Sequence, residues 1–380
     1  MSGAIPHQIY ATPEEMTSPG FFERRLGRPV VHVRTQPLTA GFAHSGSELH
    51  RVTVRLAGDP AAAPEECFIL KRLNPSWDWL MQITDDRACR SVTLWERGVF
   101  DLLPAGVDTT TVACAHDGEG FAILMRDAGA SLVTNQRFTR EQNNSFVDTL
   151  AAIHARFLHP AEDPDPTLTD PSLGLCSAVD VFRMFSPATA AQFASLDRDI
   201  HRRIQQGWEA AADIMPVDVV DIVRPLVADP GPLVHALGRY PHTLVHGDFR
   251  HSNLGWQYGT TILLDWQLAT YAPPAVDLGR YIGANSPFLP EEKDSLLERY
   301  RNRLEHHLTR STPVTETPPL DRWWEPQLYL GLLGGFIQDG WAIALKATTW
   351  DIAEDTREQW KADLPWWSEV VRRGGRVLLL

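Results

Sequence analysis

The sequence predicts an α+β protein, with an antiparallel sheet in the first third of the chain and helices through most of the remainder. Two observations carry this. Between Glu48 and Leu73 the β-branched, apolar runs "ELHRVTVRL" and "ECFILKRL" flank the Gly/Pro/Ala turn "AGDPAAAPE", the pattern of a hairpin, and a further run, "GFAILMRD", ends at Asp127. Beyond it the period changes. In "SFVDTLAAIHARF" the residues Phe146, Leu150, Ile153 and Phe157 recur at steps of four, three and four, the stripe of a helix with one buried face.

Residues 1 to 28 mix Pro, Gly, Thr and charge without a period and are expected to form an irregular lead-in, with structure proper starting near Pro29. Between the hairpin and the strand that ends at Asp127, "DDRACRSVTLWERGVFDLLP" places Val92, Trp95 and Phe100 at near-helical spacing before a stop at Pro104. "PAEDPDPTLTDPS" (Pro160 to Ser172) and "STPVTETPP" (Ser311 to Pro319) are expected surface loops. "TLVHGD" and "TILLDW" read as two short strands flanking a polar loop, an exception to the helical trend.

A chain of 380 residues has room for one large domain or two lobes. Its net charge of −13, with no block of arginine or lysine, argues against a nucleic-acid partner held by phosphate neutralisation. Cys67, Cys89, Cys114 and Cys176 lie too far apart for CxxC metal spacing and suggest no disulfide framework, so they read as the reduced thiols of a cytoplasmic protein. The start "MSGAIPHQIY" has neither the basic segment nor the apolar run of a secretion signal. "LYLGLLGGFIQDGWAIALKA" (Leu328 to Ala347) is interrupted by Gln338, Asp339 and glycines, so a buried helix pair is expected there and no membrane partner.

The chemistry is expected in "LVHGDFRHSNLGWQYGTTILLDWQ", residues 244 to 267. If its strands form a hairpin, Asp248, Asn253 and Asp265 converge. Magnesium prefers hard oxygen ligands and takes one or two protein carboxylates besides phosphate oxygens, which suits Asn253 and Asp265. Asp248 is then left to orient a substrate hydroxyl and accept its proton, completing a phosphoryl-transfer site. The opposing reading is an Asx-rich turn without chemistry.

"HGDFRHSN" followed by "LLDW" resembles the catalytic and metal loops of the aminoglycoside phosphotransferase and choline kinase-like family, relatives of the protein kinases. His246, Gly247, Asp248 and Asn253 match the HGDxxxxN pattern, and Asp265 matches the aspartate that opens DFG in protein kinases. The resemblance covers about residues 41 to 283 and implies a two-lobed protein kinase-like fold, with a nucleotide-binding N-lobe over 29–127 and a catalytic, substrate-binding C-lobe over 128–380. It implies ATP or GTP with Mg2+ as cofactors, and a hydroxyl of a small molecule as acceptor: an aminoglycoside or other antibiotic, a natural product, or an amino alcohol.

Residue by residue, the resemblance gives Lys71 in "FILKRL" the contact with the α- and β-phosphates. The turn "GFAHSGSELHRV" would lie over the phosphates, with Ser45, Gly46 and Ser47 offering backbone N–H groups. Backbone groups from Met125 to Asp127 would meet the adenine. Arg250 would face charge developing on the γ-phosphate, while His246 holds the loop and Asp277 in "PPAVDLGRYI" caps a helix and braces that loop. His154 in "LAAIHARF" is expected to be a packed structural histidine.

One position departs from the family. Relatives carry a glutamate near the start of the first-lobe helix to pair with the strand lysine, and here "RSVTLW" puts Ser91 there. Glu96 lies about 140° further around a helix, which leaves Asp85 or Asp86 as alternatives and supports a second reading as a weak or inactive nucleotide-binding scaffold. A protein kinase is disfavoured because "ATYAPPAVD" leaves no activation segment. On the acceptor side, tryptophans interleaved with Asp339, Asp351, Glu354 and Asp355 could hold an ammonium-bearing alcohol, but most of them are read as helix-packing anchors and the acids as a solvated face. Asp339 and Trp341 are the pocket candidates, because they sit in an otherwise apolar helix. The oligomeric state is left open.

Overall fold

A computed structural model describes residues 7–38, 46–58, 65–134, 136–196, 199–310 and 319–379. The chain divides into two compact units, Met1–Leu102 with Asp108–Ser131 and Leu103–Val107 with Leu132–Leu380. The first unit holds a five-stranded antiparallel sheet in the order Val30–Pro37, Glu48–Leu56, Glu65–Leu73, Gly120–Arg126, Thr111–Asp117. The hairpin read from the sequence is its centre, with His50 opposite Leu70 and Leu49 opposite Lys71. Val30–Pro37 and Thr111–Asp117, which the sequence reading lacks, are the two edges, where pairing on one side leaves a weaker apolar pattern.

Alternation along Glu65–Leu73 divides its side chains between two cores. Phe68 and Leu70 join Met16, Phe21, Phe22, Val52 and Val54. Leu73 joins Met81, Cys89, Val92, Trp95 and Ile123. The lead-in is therefore more ordered than expected: it forms helices Pro13–Met16 and Pro19–Leu26, and the Ser18 side chain caps the second by accepting from Phe21 N. Those helices carry the residues that cover one face of the sheet. On the other face the expected helix is the short Arg90–Glu96, which breaks at Gly98 (φ +69°) before a 3-10 turn, Val99–Leu102.

In the second unit, helix Arg140–Arg156 starts with a capping box between Thr139 and Gln142 and buries Phe146, Leu150 and Ile153. Leu320–Thr348 is one continuous helix of 29 residues, not a pair, and 94% of its most apolar window is buried inside the protein. "STPVTETPP" lies almost wholly outside the described residues.

The long helix crosses Ala275–Asn285 so closely that only glycine fits. A Cβ on Gly279 would lie 2.3 Å from the Gly331 carbonyl oxygen, and one on Gly335 would lie 2.4 Å from the Gly279 carbonyl carbon. Both neighbours are backbone and neither can yield without moving a helix. Gly335→Ala is expected to destabilise the fold by about 1–3 kcal/mol through overpacking, read as a lower urea midpoint with an unchanged slope.

Candidate active site

The polar stretch is held by two separate strand pairs. Thr243–Val245 pairs with Thr270–Ala272, and Leu254–Gln257 pairs with Thr260–Leu263. The expected pairing of "TLVHGD" with "TILLDW" is thus not made, because each of those strands has another partner. The residues still meet: Leu254 stands opposite Leu263, and one step further along the ladder Leu264 N donates to Asn253 O at 2.9 Å, which sets Asp265 beside Asn253. Asp265 has φ +65°, in the left-handed region that Asp tolerates better than most side chains.

The HGD turn has a local reason for each residue. Gly247 has φ +79°, and a Cβ there would lie 2.3 Å from the Leu268 carbonyl oxygen. His246 accepts from Asp248 N at Nδ1 (3.2 Å) and stands 3.0 Å from the Leu264 carbonyl at Nε2, so its proton sits on Nε2 and the ring ties the turn to the strand ahead of Asp265. Burial pushes its pKa down, and it serves here as a neutral linker. The Asn253 side chain donates from Nδ2 to Asp248 Oδ2 (2.8 Å) and to Asp248 O (3.0 Å). Its Oδ1 accepts no hydrogen bond among the described residues, so a hard oxygen donor is left over beside Asp265. No group of three or more His, Cys, Asp or Glu suited to a metal occurs among the described residues. A divalent ion here would therefore have few protein ligands, the number magnesium takes when phosphate supplies the rest.

Asp277 braces this turn from the first turn of helix Ala275–Asn285. Its Oδ1 accepts from Gly247 N at 2.8 Å, and its Oδ2 accepts from His246 N at 2.8 Å and from His154 Nε2 at 3.2 Å. His154 is fully buried, and its Nδ1 lies 2.5 Å from the Tyr300 hydroxyl. The helix cap expected of Asp277 is absent: the N-cap position is Pro274, without a side-chain bond, and Ala275 N donates instead to Gln327 Oε1 of the long helix.

The arrangement around Asp248 contains a residue the sequence reading missed. Arg280 is 3% exposed and donates from Nε (2.9 Å) and Nη2 (2.6 Å) to Asp248 Oδ1, while its Nη1 pairs with Asp339. Arg250 Nε adds a contact at 3.0 Å to Oδ1. Burial opposes ionisation of Asp248, but Arg250 and Arg280 outweigh it and hold the carboxyl far below the usual carboxylate range. Asp339 shifts the other way: burial raises it, Arg280 only partly offsets this, and its Oδ2 has no hydrogen-bond partner among the described residues. The signal for Arg280 was available, since "AVDLGRYIGAN" and "GGFIQDGWAIAL" each hold a charge that a buried helix requires to be paired.

Asp339 and Trp341, the expected pocket candidates, are both buried. Asp339 is 4% exposed against Arg280. Trp341 packs with Ala190, Ile204 and Leu345, meets the Phe185 and Trp350 rings at a tilt, and donates from its indole N–H to Gln338 O at 3.1 Å.

In the first unit, Lys71 is 7% exposed on the central strand, and by alternation it shares the face of Leu73. The Cys89 thiol, on that face, is pushed up by burial and by Asp86, with the Lys71 charge opposing. Asp85 is solvent-exposed and bonded to Arg87, which removes it as a partner for Lys71. Asp86 is buried, accepts from Arg90 N at 2.8 Å and lies 3.7 Å from the Arg90 guanidinium. Ser91 is buried on the same helix.

Gly46 has φ +106°, and Ser47 Oγ donates to the buried Asp78 at 2.8 Å, so the Ser47 side chain is turned inward. Ser45 lies outside the described residues. Met125 is paired in the sheet with Ile69. Asp127 N donates to Cys67 O at 3.2 Å, and its Oδ1 accepts from Gly129 N at 2.9 Å.

Residues 64–313 match the model of the phosphotransferase enzyme family, APH, and the chain belongs to that family. Its architecture is the α+β fold expected, with the antiparallel sheet first and the helices after it. Similar solved structures include a choline kinase from Cryptosporidium parvum Iowa II, at 11% identity over 95% of each chain with a TM-score of 0.49. A choline kinase from Streptococcus pneumoniae has 12% identity over 92% of this chain and 98% of that one, with a TM-score of 0.43. An aminoglycoside-3'-phosphotransferase of type VIII has 14% identity over 81% and 93%, with a TM-score of 0.41. No curated protein matches by sequence.

Proposed function

We propose that the protein is a small-molecule kinase that transfers the terminal phosphoryl group of ATP or GTP to an alcohol, with Asp248 receiving the hydroxyl proton. The observation that carries this is the clustering of Asp248, Asn253 and Asp265, with Asn253 bonded at once to the Asp248 carboxylate (2.8 Å) and, through its carbonyl, to Leu264 N (2.9 Å). Asn253 Oδ1 and Asp265 are the atoms to hold Mg2+, which supplies neutralisation of phosphate charge. The terminal nitrogens of Arg250, unbonded among the described residues, suit the charge that develops on the transferred group. Asp248 stays ionised and fixed by Arg280, which suits it to orient the acceptor hydroxyl and take its proton late in transfer. Lys71 with the backbone of Gly46 and Ser47 is assigned to the nucleotide phosphates, and Met125 to Asp127 to the base.

The acceptor class read from the sequence spans aminoglycosides and other antibiotics, natural products and amino alcohols, all hydroxyl-bearing. This reading places the protein in the cytoplasm and requires neither nucleic acid nor a membrane. The test is a nucleotide-consumption screen over hydroxylated natural products, antibiotics, hydroxy acids and amino alcohols, with Mg2+ present and Asp248→Asn as control. Acceptor-dependent consumption that disappears in the control is expected. Equal consumption by wild type and control would remove Asp248 from the chemistry.

A further inference from the structure

We propose that the acceptor carries an oxyanion, a carboxylate or a phosphate, beside the hydroxyl that is phosphorylated, and that Lys346 binds that anion with Arg250; this rests on the kinase reading of the same site. Lys346 is seven residues beyond Asp339 on the long helix, close to two full turns, so the two share a face. Its ammonium lies 4.4 Å from the ring centroid of Trp360 and 5.9 Å from that of Trp350. Among the described residues it makes no hydrogen bond and no ion pair, and the terminal nitrogens of Arg250 are likewise unbonded. A half-buried ammonium whose donors have no acceptor is a costly feature that an anionic ligand relieves.

The alternative, a cationic acceptor held by aromatic rings and acids, meets three obstacles in the same unit. Asp248 is taken up by Arg280, Arg250 and Asn253, and one oxygen of the buried Asp339 by Arg280. The aromatic faces already hold the chain's own cations: Arg203 lies 4.4 Å from the centroid of Trp350, and Lys346 covers Trp360. Asp351, Glu354 and Asp355 are exposed, with Glu354 paired to Arg357. The charge around Lys346 agrees with this. Its pKa is lowered to about 8, chiefly by burial and also by Arg250 and Arg280, with Asp339 working against them. His251, Arg250, Arg280 and Asp339 are the charged or titratable groups whose charge acts on it or on which it acts.

The experiment measures kcat and KM for matched alcohols: hydroxy acids against their methyl esters, glycerol 3-phosphate against glycerol, and choline and kanamycin as cationic members. Wild type is compared with Lys346→Met, which keeps the packing stem without the charge, and with Lys346→Arg, which keeps the charge. Wild type should prefer an anionic member over its neutral counterpart, and the acid and phosphate arms show which oxyanion is taken. Lys346→Met should raise KM for that member about ten- to hundredfold, the range of a hydrogen bond to a charged group, with kcat changed little and the ester unaffected. Lys346→Arg should restore most of the preference.

In wild type the KM for the anion should climb as the pH rises through about 8, where the ammonium loses its proton, and stay flat in Lys346→Arg. Preference of wild type for choline or kanamycin, or a Lys346→Met enzyme that still favours the anion, overturns the proposal while leaving the kinase reading in place. No nucleotide consumption with any acceptor, by protein that is folded and binds nucleotide, overturns both.

Discussion

Asp248→Asn is expected to lower turnover by about 10²–10⁴-fold, the usual contribution of a positioned proton acceptor, while the protein stays folded. The asparagine retains one oxygen for Arg280, but its amide nitrogen then faces Asn253 Nδ2 and Arg250 Nε, donor against donor. The penalty for that mismatch is about 1–3 kcal/mol, well short of the roughly 5–15 kcal/mol that holds a typical domain together. Two measurements separate these effects: acceptor-dependent initial rates, and a urea denaturation curve on the same preparation. Turnover within tenfold of wild type would show that the hydroxyl proton leaves by another route. A curve showing no folded baseline would shift the interpretation to stability, and the charge-preserving Asp248→Glu then serves as the second variant.

Asp277→Ala is expected to have the largest effect on stability. The carboxylate receives His246 N, Gly247 N and His154 Nε2, all in a buried setting, and an alanine leaves these donors without acceptors. A loss of about 3–5 kcal/mol follows, the range seen when one partner is removed from a buried polar cluster. Asp277→Asn should fall between, since one amide oxygen can satisfy some donors while the amide nitrogen opposes another. The check is the urea midpoint for the three proteins. A shift below about 1 kcal/mol for the alanine form would mean that water enters and replaces the carboxylate.

The parts of the site that were legible in the sequence are those whose geometry is local. "HGDFRHSN" is compact because Gly247 must take a positive φ against the Leu268 carbonyl and Asn253 must turn back onto Asp248, and both demands fall within a few residues. Asp277 was legible as a brace, although the same motif suggested a cap that Gln327 makes unnecessary. That Arg280 and Asp339 each needed a partner was legible, but that they pair with each other was not, because the two residues lie 59 positions apart on different helices. The tryptophans left two readings open for a related reason. Composition shows rings near acids, but it is the fold that sets Arg203 and Lys346 over two of those rings. In the sheet, the central hairpin was readable from alternation, whereas the edge strands lack the second neighbour that imposes it.

The Arg280–Asp339 pair has a consequence for how this lineage can change. A neutral residue at position 280 alone would leave Asp339 without its partner and strip Asp248 of two bonds, while one at position 339 alone would leave Arg280 held by Asp248 only. Exchange is least costly when the two change together, and Asp248 depends on the outcome. Among descendants of a common ancestor, the two sites are expected to covary, so that their joint replacement marks branches whose catalytic chemistry was also rebuilt.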